Sequence, residues 1–140
     1  MKTKEEIQKV LLIVDESSPC YSEIRSFAMR TEQETGLPFY LKSMYTNFNS
    51  KKTDSSIMNH LQLSGASYDL VILPEDKSEI GEITITDGVK AQHSGRILCY
   101  NEEDSFNKQR YDGSINLKKD FSFNSIRDKI IGTLETTVTN

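Results

Sequence analysis

Cys20 and Cys99 are the only cysteines in the sequence, and they stand too far apart to form a C-x-x-C pair. That spacing excludes clustered thiolate metal sites and a thioredoxin-type dithiol, and it leaves both thiols read as small apolar filler. Long apolar runs are also missing, since no stretch approaches the ~20 residues that cross a bilayer. Positive charge is in deficit: 17 Lys and Arg against 21 Asp and Glu give a net charge of -4, and only Lys51-Lys52 and Lys118-Lys119 are adjacent bases. Such a surface repels a phosphate backbone on average, so neither nucleic acid nor a membrane is an expected partner. The opening Met1-Lys2-Thr3-Lys4-Glu5-Glu6 mixes both charge signs without an apolar core. It is unlike a secretory signal, and a cytoplasmic protein is expected. Proline is scarce as well. Its three positions, Pro19, Pro38 and Pro74, each punctuate an element boundary.

What is present fits one soluble globular domain over residues 1–140, long enough to bury a single core. Leu70-Val71-Ile72-Leu73 is aliphatic without polar alternation, as a strand buried on both faces requires, and it stops at Pro74-Glu75-Asp76. Val10-Leu11-Leu12-Ile13-Val14 repeats the pattern and ends in Asp15-Glu16. Ser17-Ser18-Pro19 then predicts a helix start, with a serine cap and proline in the first turn, running to about Thr35 and closed by Gly36. Leu37 to Tyr45 predicts another strand, placed at or near a sheet edge by Pro38. Thr46 to Ser56 reads as a polar surface loop. A second helix follows, capped by Asp54 or Ser55, burying Ile57, Met58 and Leu61, and ended by Gly65.

Between Ile80 and Val89 two readings compete. Period-two alternation and Asp87-Gly88 suggest a hairpin, whereas a crossover helix is what two parallel strands need between them. The strand-helix alternation on both sides favours the crossover. Arg96 to Tyr100 predicts the fourth strand, ending at Asn101-Glu102-Glu103-Asp104. Asp112-Gly113 turns into a fifth, Ser114 to Leu117, with Lys119 beyond its end. Ser122 caps a last helix whose inner face is Phe123, Ile126, Ile130, Ile131 and Leu134, and the threonines after Glu135 extend it only weakly. The fold class is therefore α/β, a doubly wound, five-stranded, mainly parallel sheet flanked by helices, of the flavodoxin-like kind.

Acids after the first and third strands, a small polar residue after the fourth and a lysine after the fifth complete a pattern. Through Val10–Glu16, Tyr68–Leu73 and Lys119-Asp120-Phe121-Ser122-Phe123 the sequence resembles the receiver domains of bacterial response regulators. The resemblance implies a Mg2+-holding acidic pair at Asp15 and Glu16 and a phosphate-contacting lysine at Lys119. The chemistry needs oxygen ligands for the metal and a cation to meet the added negative charge. At two positions the sequence departs from that pattern. Pro74 stands where the phosphoacceptor aspartate belongs, and Asn101 where a hydroxyl belongs; proline offers no nucleophile. Only 18 positions separate Asn101 from Lys119, so the fourth helix is expected to be short or absent, and no standard receiver dimer is implied.

The expected site is thus a pocket at the strand ends formed by Asp15, Glu16, Pro74, Glu75, Asn101 and Lys119. Its plain reading is a set of solvated loop acids with Lys119 as their ion-pair partner, and no cofactor, although Mg2+ on Asp15 and Glu16, with Glu75 as a third ligand, is the metal-binding alternative. His60 and His93, set among polar residues, read as surface histidines. The expected function is that of a phosphorylation-independent receiver-like domain whose output, with no effector attached, is a protein partner in signalling or regulation. Two enzymatic or redox alternatives stand beside it. Ser78-Glu79-Ile80-Gly81-Glu82 is similar to the glutamate-bearing segment of nucleoside deoxyribosyltransferase-like and TIR-like folds, where a carboxylate acts at a glycosidic bond. Cys20 at a helix start resembles the active cysteine of thioredoxin-like folds.

Overall fold

Unbroken aliphatic runs with no polar face have to be covered on both sides, and the chain achieves this with one sheet between two layers of helix. The computed structural model describes residues 7–47, 57, 59–61, 68–75, 85–93, 95–103, 105–119 and 122–138. In chain order its elements are β1 (Gln8–Asp15), α1 (Tyr21–Gln33), β2 (Phe39–Thr46), β3 (Leu70–Pro74), α2 (Ile85–Gln92), β4 (Arg96–Asn101), β5 (Gly113–Asn116) and α3 (Phe123–Val138). Residues 57 and 59–61 are also helical. The strands run in the order β2-β1-β3-β4-β5, and every pairing is parallel, the flavodoxin-like arrangement. β2 lies at the edge, as Pro38 predicts, and β3 is the central strand.

Alternate residues of each strand feed two cores. Val10, Leu12, Leu70, Ile72, Leu98 and Ile115 pack on one face with Ile24 and Phe27 of α1 and Ile126 and Ile130 of α3. Leu11, Ile13, Val71, Leu73, Ile97 and Cys99 pack on the other with Ile57, Leu61 and Val89. Each fully buried aliphatic side chain of this kind contributes about 1.5–3 kcal/mol relative to exposure.

Several boundaries differ from expectation, each for a local reason. α1 begins at Tyr21 with Cys20 as its cap residue, because Asp15 and Ser18 organise the preceding turn: Ser17 N–H donates to Asp15 Oδ1 at 3.0 Å and Cys20 N–H to Ser18 Oγ at 3.1 Å. The helix ends at Gln33, and Gly36 takes a φ of +77°, the left-handed conformation that suits glycine. Over Ile85–Gln92 the chain forms the crossover helix and not a hairpin, with Asp87-Gly88 inside it. Val89 is fully buried, and the buried Thr86 hydroxyl lies 2.9 Å from the Tyr111 hydroxyl. Between β4 and β5 the described residues form turns and no helix. α3 continues past Glu135 to Val138, and at its start the Ser125 N–H donates to Ser122 Oγ at 3.1 Å, the expected cap.

His93 departs most from its expected place: it is buried, not on the surface. Its Nε2 lies 3.0 Å from the Arg96 carbonyl oxygen, which only accepts, so Nε2 carries the proton. His60 is half-buried, with its Nε2 2.8 Å from the Tyr68 hydroxyl. Of the loop expected over Thr46 to Ser56, Thr46 instead ends β2, and its residues 48–56, including Asp54 and Ser55, lie outside the described residues, as do Met58, Gly65, Ser78 to Glu82 and Ile83.

Candidate functional site

All-parallel pairing brings the carboxyl ends of the five strands to one edge, and in this strand order the crevice opens between β1 and β3. Proline shapes that crevice. β1 pairs with β3 through Val10–Leu70, Leu11–Val71 and Leu12–Ile72, and the ladder stops there, while β3 continues beside β4 to Pro74–Tyr100. Extending the first register sets Pro74 opposite Val14. A residue there would donate its N–H to the Ile13 carbonyl and accept from the Asp15 N–H. Proline has no N–H to give.

The Tyr100 hydroxyl fills that rung. It reaches from β4 across β3, donates to the Ile13 carbonyl at 3.0 Å and accepts from the Asp15 N–H at 3.0 Å. Tyr100 is 1% exposed, and burial pushes its phenol pKa well above the ordinary value, so it stays protonated as this donation requires. Pro74 itself is the buried last residue of β3, and not the first residue after it.

Two of the expected acids, Asp15 and Glu75, are committed to the protein's own turns. Asp15, buried at the end of β1, accepts on Oδ1 from the Ser17 N–H and, at 2.7 Å, from the Ser17 hydroxyl. Glu16 is exposed, and its N–H donates to the Thr46 carbonyl of β2. Glu75 is half-buried and faces the β4–β5 connection: Asn101 Nδ2 donates to Oε1 at 2.9 Å and the Asn107 N–H to Oε2 at 3.1 Å. Buried Asn101 also donates to the Ser105 carbonyl and accepts from the Glu103 N–H. Lys119 is exposed in the turn after β5.

Pro74, Glu75 and Asn101 therefore line one cleft of about 410 Å³, together with Cys20, Tyr100 and Glu102. Asp15, Glu16 and Lys119 stand on the same edge of the sheet and are not among its lining residues. The donor set fits Mg2+ poorly. Asp15 and Glu75 spend oxygens on N–H and O–H donors, and among the described residues no group of three or more His, Cys, Asp or Glu side chains is arranged to hold a metal ion.

Cys20 is buried beside the cleft, and its pKa is pushed up to about 11, first by burial and then by the Glu102 carboxylate. A catalytic thiolate needs the opposite shift, so the thioredoxin-like reading of Cys20 fails on electrostatics as well as on the all-parallel sheet. Cys99 is deeper still, raised by burial to about 12.

The sequence reading missed Tyr100, Ser17 and Asn107. A proline ending a central strand was the available signal for Tyr100, because a parallel ladder with a missing donor needs a substitute. Asn107 sits in a connection with no periodicity, and nothing in the sequence marks its backbone for Glu75. Comparison with known proteins finds no matching family model, no matching curated protein and no matching solved structure.

Proposed function

We propose that this chain is a phosphorylation-independent, receiver-like interaction domain that acts by binding another protein in signalling or regulation, without a metal or cofactor. The observation that carries the reading is Pro74 in the rung closed by Tyr100: a pyrrolidine ring, with neither a carboxylate nor an N–H, stands at the position the receiver resemblance gives to a phosphoacceptor aspartate, and the Tyr100 hydroxyl makes the bonds a backbone there would make. Internal hydrogen bonding of Asp15 and Glu75 supports it, since acids that cap turns are not poised for ligand chemistry. The net charge of -4 supports a partner other than nucleic acid. Among the described residues no helix is long and apolar enough to cross a membrane.

Incubation with acetyl phosphate and Mg2+, read by intact mass, tests the reading. No stable adduct is expected, and incorporation of one phosphate per chain would overturn it.

A further inference from the structure

We propose that His93 is a proton-operated latch: as the neutral imidazole it fastens the carboxyl end of α2 to the start of β4, and uptake of a proton at Nδ1 opens that junction while the sheet stays folded. The residue bridges the two elements. Its backbone N–H donates to the Val89 carbonyl in the last turn of α2 at 2.9 Å, and its Nε2–H donates to the carbonyl of Arg96, the first residue of β4, at 3.0 Å. His93 is 5% exposed, and its Nδ1 is buried without a hydrogen-bond partner among the described residues. A nitrogen that carries only a lone pair tolerates such a seat at modest cost, whereas a charged N–H there has no acceptor and no water.

Turning the ring in place does not relieve this, because an imidazolium donates from both nitrogens and only the Arg96 carbonyl accepts. The seat is also tight. A Cβ at Gly95 would lie 2.8 Å from Cε1 and 2.9 Å from Nε2 of His93, and 2.6 Å from the Asp69 carbonyl oxygen, so the imidazole fills the space that a side chain at 95 would need. The charged groups set around it are already engaged. Asp69, before β3, accepts the Lys9 N–H on Oδ2 at 2.8 Å. Asp112, before β5, accepts the Ile97 N–H on Oδ2 at 2.8 Å, and its Oδ1 lies 3.9 Å from the Arg96 guanidinium. On α2 itself, Lys90 donates to the Gln109 carbonyl at 2.8 Å. Burial outweighs the pull of the Arg96 carbonyl, Asp69 and Asp112, and it holds the His93 pKa below the ordinary imidazole value.

Opening is local because few bonds close the junction. The β3–β4 ladder from Leu70–Arg96 to Pro74–Tyr100 does not involve the His93 side chain, and α2 stays anchored by the Thr86 and Tyr111 hydroxyls, 2.9 Å apart. Element ends held by one or two bonds open at lower free energy than the sheet they cover. Once out of its seat the ring meets water and titrates near the ordinary value of about 6.5. The latch therefore holds fully above about pH 6.5, and its hold weakens by up to about tenfold per pH unit as pH falls toward the lower value of the closed state. This device does not depend on the receiver-like reading, and the acetyl phosphate test and the test below fail separately.

Native-state hydrogen exchange of the full chain between pH 7.5 and 5.5, repeated at several low urea concentrations, tests the proposal. After correction for intrinsic exchange, protection of the His93 backbone amide is expected to fall below about pH 6.5 by up to about tenfold per pH unit, with a urea slope near zero. Amides inside β1 and β3 are expected to keep the full slope of global unfolding. His93→Gln, whose side-chain amide can still donate to the Arg96 carbonyl, is expected to hold the protection of residue 93 constant over the same range. Equal protection of the His93 amide at pH 7.5 and 5.5 overturns the proposal. So does a fall that carries the full urea slope, which assigns the acid sensitivity to global unfolding, or a fall of the same size in His93→Gln, which assigns it to another group. If that variant does not fold, the wild-type ring decides through its 15N signals. They are expected to show a neutral Nε2–H imidazole wherever the His93 amide is protected, and an imidazolium that leaves the amide protected overturns the latch.

Discussion

At Tyr100 one oxygen accepts from the Asp15 N–H and donates to the Ile13 carbonyl, so deleting it strands two buried backbone groups at once. Each unsatisfied buried group costs about 1–3 kcal/mol, and Tyr100→Phe keeps the ring that fills the core. The variant is expected to lose about 2–4 kcal/mol in urea unfolding with an unchanged slope. A loss below about 0.5 kcal/mol would show that the rung contributes nothing net. His93 sets a pH dependence of its own. Burial lowers its pKa below the ordinary imidazole value, against the opposing pull of the Arg96 carbonyl, Asp69 and Asp112. A depressed pKa means that, below about pH 6.5, the unfolded chain takes up a proton which the folded chain refuses. Stability from this group is therefore fully present above that pH, and it declines as pH falls toward the lower folded value, by up to about 1.4 kcal/mol per pH unit. His93→Gln, whose amide can donate to the Arg96 carbonyl, is expected to lose less stability than wild type between pH 7.5 and 5.5. Equal losses would remove His93 as the cause.

Among the elements, those legible in the sequence owe their form to burial that periodicity encodes directly. Val10–Val14 and Leu70–Leu73 are aliphatic at every position, and each is covered on both faces. The offsets of Phe123, Ile126, Ile130, Ile131 and Leu134 mark one helical stripe; among the described side chains of α3, Phe123, Ile126, Ile130 and Leu134 are buried and Ile131 is partly buried against the same core. At Ile85–Gln92 local propensity favoured a strand, yet the need of β3 and β4 for a crossover prevailed, since parallel neighbours cannot be joined by a hairpin. Contacts between residues remote in sequence were not legible. The Tyr100 hydroxyl meets β1 only because register aligns Pro74 with Val14. Glu75 reaches Asn107 only because the described residues of the β4–β5 connection form turns and no helix, and bring the Asn107 N–H to its carboxylate. His93 looked exposed because its sequence neighbours are polar, whereas its burial comes from tertiary placement. Half of the expected pocket shares a cleft for the same reason: strand direction was readable, and side-chain commitments were not.

Across the whole molecule, the carboxyl edge gathers Asp15, Glu16, Glu75, Glu102 and Glu103 in a chain of net charge -4, which by charge alone would attract a divalent cation. Hydrogen bonding opposes that attraction. Mg2+ demands near-octahedral oxygen ligands at ~2.0–2.1 Å and gives up water reluctantly. To coordinate Asp15 and Glu75 fully it would have to displace Ser17, Asn101 and Asn107 from carboxylate bonds worth about 1.5–3 kcal/mol each. A cation that binds only the folded chain stabilises it by RT ln(1 + [L]/Kd), about 2.7 kcal/mol at a hundredfold excess over Kd, so overall stability reads out occupancy. With about 10 mM Mg2+ the unfolding midpoint is expected to match that in EDTA at equal ionic strength to within about 1 °C, because screening by either salt acts alike on exposed charge. A Mg2+-specific rise of several degrees, lost in Glu75→Gln, would mean that the acids leave their turn partners for metal. The hydrogen-bonded edge would then be one of two states of this chain, and its reading as a metal-free interaction domain would fail with it.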